Sequence, residues 1–188
     1  MKDLVLVTGG TGYLAAWCIV ALLRRGYRAR TTVRGEGKAD KVRAAVERAG
    51  AAIDELEFAV ADLLADEGWP DAVAGCAGVL HVASPLIATR DAEAVIRPAV
   101  DGTLRVLRAA RDAGVRRVVY TSSCGAVYYG HPLPHPVFDE TSWTNIDGGD
   151  MSSYVKSKAI AEGAERLNER VICDVSSERA QLVILPGA

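Results

Sequence analysis

The sequence predicts an α/β fold in which a doubly wound parallel sheet carries helices on both faces. Three observations predict it. Short β-rich runs alternate with helical patterns along the 188 residues. The first run, Leu4–Val7, is continuously apolar, as a strand buried on both faces should be. It ends at Gly9-Gly10 and is followed at once by apolar residues at helical spacing.

The elements follow in order. Residues 11–25 form a helix with Leu14, Trp17, Cys18, Ala21 and Leu22 on one face and Gly26 as its stop. Residues 27–33 are the second strand. Residues 38–49 are a helix with Val42, Ala45, Val46 and Ala49 on one face, ended by Gly50. Residues 56–60 are the third strand, 69–74 a short helix with Pro70 near its start, and 78–82 the fourth strand. A long helix spans 91–113, with an irregularity expected at Pro98 and Gly102, because proline removes a helical hydrogen bond and clashes with the preceding turn. Residues 115–122 are the fifth strand. The connection 124–150 is rich in Pro, Gly and His, and loops of that length in a compact domain are usually functional. Ser152 or Ser153 caps the next helix, which runs to about residue 170, and 182–185 is a final strand. Six strands with crossover helices give the order 3-2-1-4-5-6, the Rossmann arrangement, with ligand at the carboxyl ends of the strands.

The bulk properties narrow the function classes. One domain, 1–188, can bury a sizeable core at this length. A net charge of −2, with no Lys/Arg run, gives no reason to expect nucleic acid. Cys18, Cys76, Cys124 and Cys173 are scattered without CxxC spacing and read as reduced thiols. His81, His131 and His135 lack a second ligand set, so no metal is expected. No apolar run is long enough for a signal peptide or a membrane span, and the expected location is cytoplasmic.

Thr8-Gly9-Gly10-Thr11-Gly12-Tyr13-Leu14-Ala15 sits where the first strand becomes the first helix. Gly9 allows a tight turn and Gly12 a close backbone approach to a pyrophosphate, while the helix end offers free amides and a positive dipole. Ala15 stands at the third small position. The second strand ends in Thr31-Thr32-Val33-Arg34, where an NAD site would carry Asp or Glu. Arginine suits a phosphate, so Arg34 argues for NADP over NAD, with Lys38 or Lys41 as second cations. Asp62 follows the third strand and suits either an adenine amino group or a helix cap.

Tyr154-Val155-Lys156-Ser157-Lys158 places Tyr154 and Lys158 on one helical face, with Lys156 on another. An ammonium beside a phenol favours the phenolate and brings a tyrosine toward acid–base work at neutral pH. Lys158 can also hold ribose hydroxyls. Ser122-Ser123 closes the fifth strand, where a hydroxyl can hydrogen-bond a substrate carbonyl.

Together these residues resemble the extended short-chain dehydrogenase/reductases. More narrowly the chain resembles the group of dihydroflavonol 4-reductases, cinnamoyl-CoA reductases and their bacterial relatives. The likeness runs through VTGGTGYLA, RTTVR, ADL, HVASP, VIRPAVDGTLRVLRAA, RRVVYTSSCGAV, FDETSW, YVKSKAIAE and ILPGA. It implies Ser123, rather than Ser122, as catalytic serine, Tyr154 as proton donor and Lys158 as its partner. It implies cofactor contacts at Gly9, Gly12, Tyr13, Leu14, Arg34, Lys41, Asp62, Leu63, Val82, Ser84, Tyr154 and Lys158.

Departures from the family pattern refine this. Ala99 stands where the sugar-nucleotide epimerase branch often has Asn, Gly163 replaces a basic residue, and 170–179 is unusually charged. Family members continue well past Pro186-Gly187 into a smaller domain over the substrate, which this sequence does not include. Three readings follow. The first is an NADPH-dependent reductase of a ketone, aldehyde or thioester carbonyl, with a small-molecule carbonyl or alcohol as partner and a homodimer as assembly. The second is a non-catalytic dinucleotide-binding module. The third is a sugar-nucleotide epimerase or dehydratase, disfavoured by Arg34 with Ala99.

Overall fold

The structure is a computed structural model that describes residues 2–85, 89, 91–131, 137–139, 141–149, 151–166, 172–173 and 183–184. Its centre is a five-stranded parallel sheet of β1 (Leu4–Val7), β2 (Arg28–Val33), β3 (Leu56–Val60), β4 (Gly78–His81) and β5 (Arg117–Tyr120). The strands lie in the order β3-β2-β1-β4-β5, as the alternation of patterns predicts. Of 182–185, only Val183–Ile184 (β7) lies within the described residues. It runs near β5 but pairs antiparallel with β6, Ile172–Cys173. The end of the preceding helix beyond 166, and the charged stretch from 174 to 179, lie outside the described residues.

The central strand is apolar on both faces because each face has its own core. Leu4 and Leu6 point into a cluster with Trp69, Val73, Val79, Val106, Leu107 and Val118. Val7 joins Ile19, Val20, Val42, Val46 and Leu56 on the other side. Helices α1 (Tyr13–Arg24) and α2 (Ala39–Arg48) cover that second face. A 3-10 turn, Glu36–Lys38, precedes α2, so the helix begins one residue later than its apolar spacing suggests. The first face carries α3 (Trp69–Val73) and α4 (Ala92–Asp112).

Helix α4 is unbroken, contrary to the irregularity expected at Pro98 and Gly102. Pro98 lies in the second turn, where a missing amide leaves one carbonyl unpaired without ending the helix. Gly102 has a packing reason: a Cβ there would come within 2.8 Å of the Leu63 Cβ. Arg105 donates to the Leu63 carbonyl at 2.9 Å and pairs with Asp66. Helix α4 therefore clamps the turn that follows β3. Asp91 caps the helix, its Oδ1 accepting from the Glu93 amide at 3.0 Å.

The connection after β5 has more order than its composition suggests. A 3-10 turn covers Cys124–Ala126, and residues near 144 return to it. The Thr144 amide donates to the Ala126 carbonyl at 2.9 Å and its hydroxyl to the Gly125 carbonyl at 2.7 Å. In the FDETSW segment, Asp139 Oδ1 accepts from the Thr141 amide and hydroxyl. Ser152 caps α5 (Ser153–Arg166), accepting from the Val155 amide at 3.3 Å. Among the described residues no helix is long and apolar enough to cross a membrane.

His81, at the end of β4, is fully buried, and its Nε2 has no hydrogen-bond partner among the described residues. Burial first, and Lys158 second, push its pKa down to about 3. The unfolded chain takes up this proton near pH ~6.5, whereas the folded chain resists until about 3. The contribution is therefore complete above pH ~6.5 and declines below it by about 1.4 kcal/mol per pH unit. Urea midpoints measured from pH ~7 to ~4 should fall less steeply for His81→Asn, which keeps a short polar side chain but cannot charge. Parallel slopes for both proteins would contradict this.

Candidate dinucleotide cleft and acid–base cluster

The loop after β1 is built around Thr8, which is fully buried. Its Oγ1 accepts from the amides of Val82 and Ala83, each at 3.0 Å, and lies 2.8 Å from His81 Nδ1. With two amides donating to it, the hydroxyl gives its own proton to Nδ1, which places the histidine proton on Nε2. One hydroxyl thus ties the end of β1 to the end of β4. On the other side, the Gly9 amide donates to Thr32 Oγ1 at 2.9 Å and the Gly10 amide to the Thr32 carbonyl at 3.0 Å. The loop is laced to both neighbouring strands.

This lacing explains the glycines. Gly9 has φ +73°, and a Cβ on it would sit 2.9 Å from the Ala83 Cβ. A Cβ on Gly10 would come within 2.4 Å of Thr31 Oγ1, a requirement that the motif reading missed. Gly12 precedes α1, and no side chain caps that helix. Its first turn holds no acid, so its amides and positive end are left for an anion.

The loop forms one wall of a cleft of about 530 Å³. Gly9, Gly12, Tyr13, Leu14, Arg34, Asp62, Leu63, Val82 and Ser84, all predicted from the sequence, line it together. Thr32 and Trp69 join them unpredicted. Lys41 does not line it and stands exposed on the first turn of α2. Asp62 serves the local turn, its Oδ1 accepting from the Leu64 amide at 3.0 Å. The arginines on and just past β2 divide by partner. Arg28 and Arg30 pair with Glu57, holding its carboxyl below the usual range against the opposing effect of burial. Arg34 is exposed at the cleft and makes no ion pair among the described residues.

Ser123, Tyr154 and Lys158 do not line this cleft. They gather at the end of β5, which the Thr121 amide joins to β4 through the His81 carbonyl at 2.9 Å. Ser123 Oγ accepts from the Gly125 amide at 3.1 Å. A Cβ on Gly125 would lie 3.3 Å from both Ser123 Oγ and Val155 Cγ2, so this serine abuts the first turn of α5. Tyr154, on that turn, is 44% exposed. Lys158, one turn on, is 4% exposed and donates to the Thr121 carbonyl at 3.2 Å, with its Nζ 5.3 Å from the centre of the Tyr120 ring. Lys156 is half-buried. Ser122 faces away from the cleft and donates to the buried Glu162 carboxylate, an acid the sequence reading passed over.

Residues 5–169 match the model of the NAD dependent epimerase/dehydratase family. The chain belongs to that family. It is 40% identical over 173 residues to dihydroflavonol 4-reductase of Hordeum vulgare, covering 87% of this chain and 48% of the relative. It is 41% identical over 165 residues to cinnamoyl-CoA reductase 1 of Petunia hybrida, covering 86% and 48%. Vestitone reductase from alfalfa superposes with a TM-score of 0.74 at 34% identity, over 89% of this chain and 53% of that one. Yeast methylglyoxal/isovaleraldehyde reductase Gre2, solved with NADPH, gives 0.74 at 28% identity, over 88% and 53%. The chain spans about half the length of the curated relatives it matches.

Comparing Gly9→Ala with Gly114→Ala tests the lacing of the loop. Both glycines have positive φ, but a Cβ on Gly114 would meet nothing within 4 Å. Gly9→Ala should lose about 1–3 kcal/mol more stability than Gly114→Ala, the cost of forcing the loop off β4. Equal losses in urea unfolding would show that the close approach to Ala83 carries no weight.

Proposed function

We propose that this chain is the cofactor-binding and acid–base part of an NADPH-dependent reductase that converts a ketone, aldehyde or thioester carbonyl to the alcohol or aldehyde level. The observation that carries this reading is Arg34. It is a guanidinium at the cleft rim with no ion pair among the described residues, one residue past the strand whose two arginines pair with Glu57. The residues present fit such a cofactor. Gly9 and Gly10 let the loop pack closely against Ala83 and Thr31, and the uncapped end of α1 suits a pyrophosphate. Arg34 suits a 2′-phosphate, and the cleft walls suit an adenosine. The chain's likeness to relatives named as reductases, and to a structure solved with NADPH, supports the same reading.

A nicotinamide, when held there, would supply hydride. Ser123 already accepts a backbone hydrogen bond, which orients its hydroxyl and leaves its proton to donate to a carbonyl oxygen. Tyr154 donates the proton that the developing alkoxide requires. The ammonium of Lys158, anchored on the Thr121 carbonyl, stabilises the phenolate left behind and holds ribose hydroxyls.

Two measurements test the reading. NADPH should bind more tightly than NADH, and Arg34→Ala should weaken NADPH by roughly tenfold to a hundredfold while leaving NADH nearly unchanged. That is the effect of about 1.5–3 kcal/mol for a charge-assisted phosphate contact. Equal affinities before mutation would sink the assignment. Tyr154→Phe should abolish NADPH oxidation with a panel of ketones, aldehydes and thioesters yet keep the affinity for NADPH. A Tyr154→Phe protein with most of its turnover would refute the role of Tyr154.

A further inference from the structure

The turn Cys124–Ala126 is too short to satisfy its own ends, and the two ends find different partners. Its amides reach back to Ser123. That of Gly125 donates to Ser123 Oγ at 3.1 Å, and that of Ala126 to the Ser123 carbonyl at 2.9 Å. Its carbonyls reach forward to Thr144. The Gly125 carbonyl accepts from the Thr144 hydroxyl at 2.7 Å, and the Ala126 carbonyl from the Thr144 amide at 2.9 Å. The same hydroxyl accepts from the Tyr129 amide at 3.1 Å, so its proton and a lone pair are both committed and its direction is fixed. Thr144 is 8% exposed, and Gly125 and Ala126 are buried, so water has little access to replace a lost donor. The turn also rests on α5, since a Cβ on Gly125 would lie 3.3 Å from Val155 Cγ2, and Val155 adjoins Tyr154. The residues that deliver Thr144 are themselves braced. Asp139 Oδ1 accepts from the amide and hydroxyl of Thr141 and from the hydroxyl of Ser142, and the Ser142 amide donates to the Asp139 carbonyl at 3.0 Å.

We propose that Thr144 is a positioning residue for the carbonyl site: it clamps the Cys124–Ala126 turn from behind, and so fixes the direction of the Ser123 hydroxyl and its spacing from Tyr154. The assignment rests on the reading of Ser123 and Tyr154 as the groups that meet a carbonyl. The turn is a spacer with Ser123 at one end, Thr144 at the other and the first turn of α5 along its side. Thr144 touches no reacting atom and acts only through that spacer. The FDETSW segment gains a task in the same way, as the brace that presents Thr144.

The test is amide hydrogen exchange followed by NMR on the isotope-labelled chain, with Thr144→Val and Thr144→Ser. Valine keeps the shape of threonine and removes the hydroxyl, whereas serine keeps the hydroxyl. The amide of Gly125 reports the bond to Ser123. The amide of Thr121, which donates to the His81 carbonyl, reports the sheet and serves as the internal control. In Thr144→Val the Gly125 amide should exchange roughly tenfold faster relative to that of Thr121, the effect of losing one buried hydrogen bond behind the turn. In Thr144→Ser the ratio should stay near that of the unaltered chain. If Thr144→Val does not fold, the reverse measurement answers the same question, because coupling through the turn is reciprocal. Ser123→Ala should then speed exchange of the Thr144 amide relative to that of Thr121. An unchanged ratio in Thr144→Val, or in the reverse measurement, would overturn the proposal and leave Thr144 as an anchor for its own segment alone. So would a loss of protection in Thr144→Ser as large as in Thr144→Val. No cofactor or carbonyl compound enters these measurements, so their failure is distinguishable from failure of the NADPH titration or of Tyr154→Phe.

Discussion

The hydroxyl of Thr8 is the contact on which the cleft depends. It accepts two amides from the chain leaving β4 and gives its proton to His81, so one buried side chain satisfies three polar groups at the crossing of two strands. Without it, two part-buried backbone donors would lose their partner. The glycine loop would also lose its fixed height above the sheet. Every other feature of the cofactor side is placed relative to that loop. The positive turn at Gly9, the close approach of Gly10 to Thr31 and the start of α1 all follow from a chain pinned on both flanks.

The cleft and the acid–base cluster stand over neighbouring strand ends, and α4 links them. Through Gly102 and Arg105 it holds the turn after β3, which forms one cleft wall, and it also packs along α5, which carries Tyr154 and Lys158. The electrostatics of the two regions differ accordingly. At the cleft rim the positive charge of Arg34 is exposed and uncompensated, a form suited to capturing an anion from water. At the cluster Lys158 and Glu162 are buried, each tied by a hydrogen bond to the segment after β5. A group held that way need not reorganise when a proton moves.

Much of this was legible in the sequence because the relevant physics is local. The third strand, Leu56–Val60, and the order of the five strands follow from run length and alternation. The glycine loop and Arg34 were readable because backbone freedom and a fixed charge at a strand end each leave a one-residue mark. Charge alone does not say which residues of a helix turn line the cleft, and Lys41, exposed on α2, is not among the lining residues. Pro98 was misjudged because its cost depends on where in the helix it falls. Thr8, His81 and Glu162 were missed because each acts through partners distant in sequence. Glu162 alone left a signal, its four-residue spacing from Lys158 on a face that had already been singled out.

The adjacency of Ser122 and Ser123 has a consequence for how this segment can change over generations. Extended backbone turns successive side chains to opposite sides, and here one serine faces the buried carboxylate while the other meets the mouth of the site. A substitution at either position alters one task and spares the other. A single inserted or deleted residue after Tyr120 would exchange the two sides at once, sending the outward hydroxyl inward and drawing the lysine's anchor out of line. The stretch from β5 to the turn at Cys124 is therefore a frame-sensitive reading of the chain, tolerant of changed letters and intolerant of a changed count.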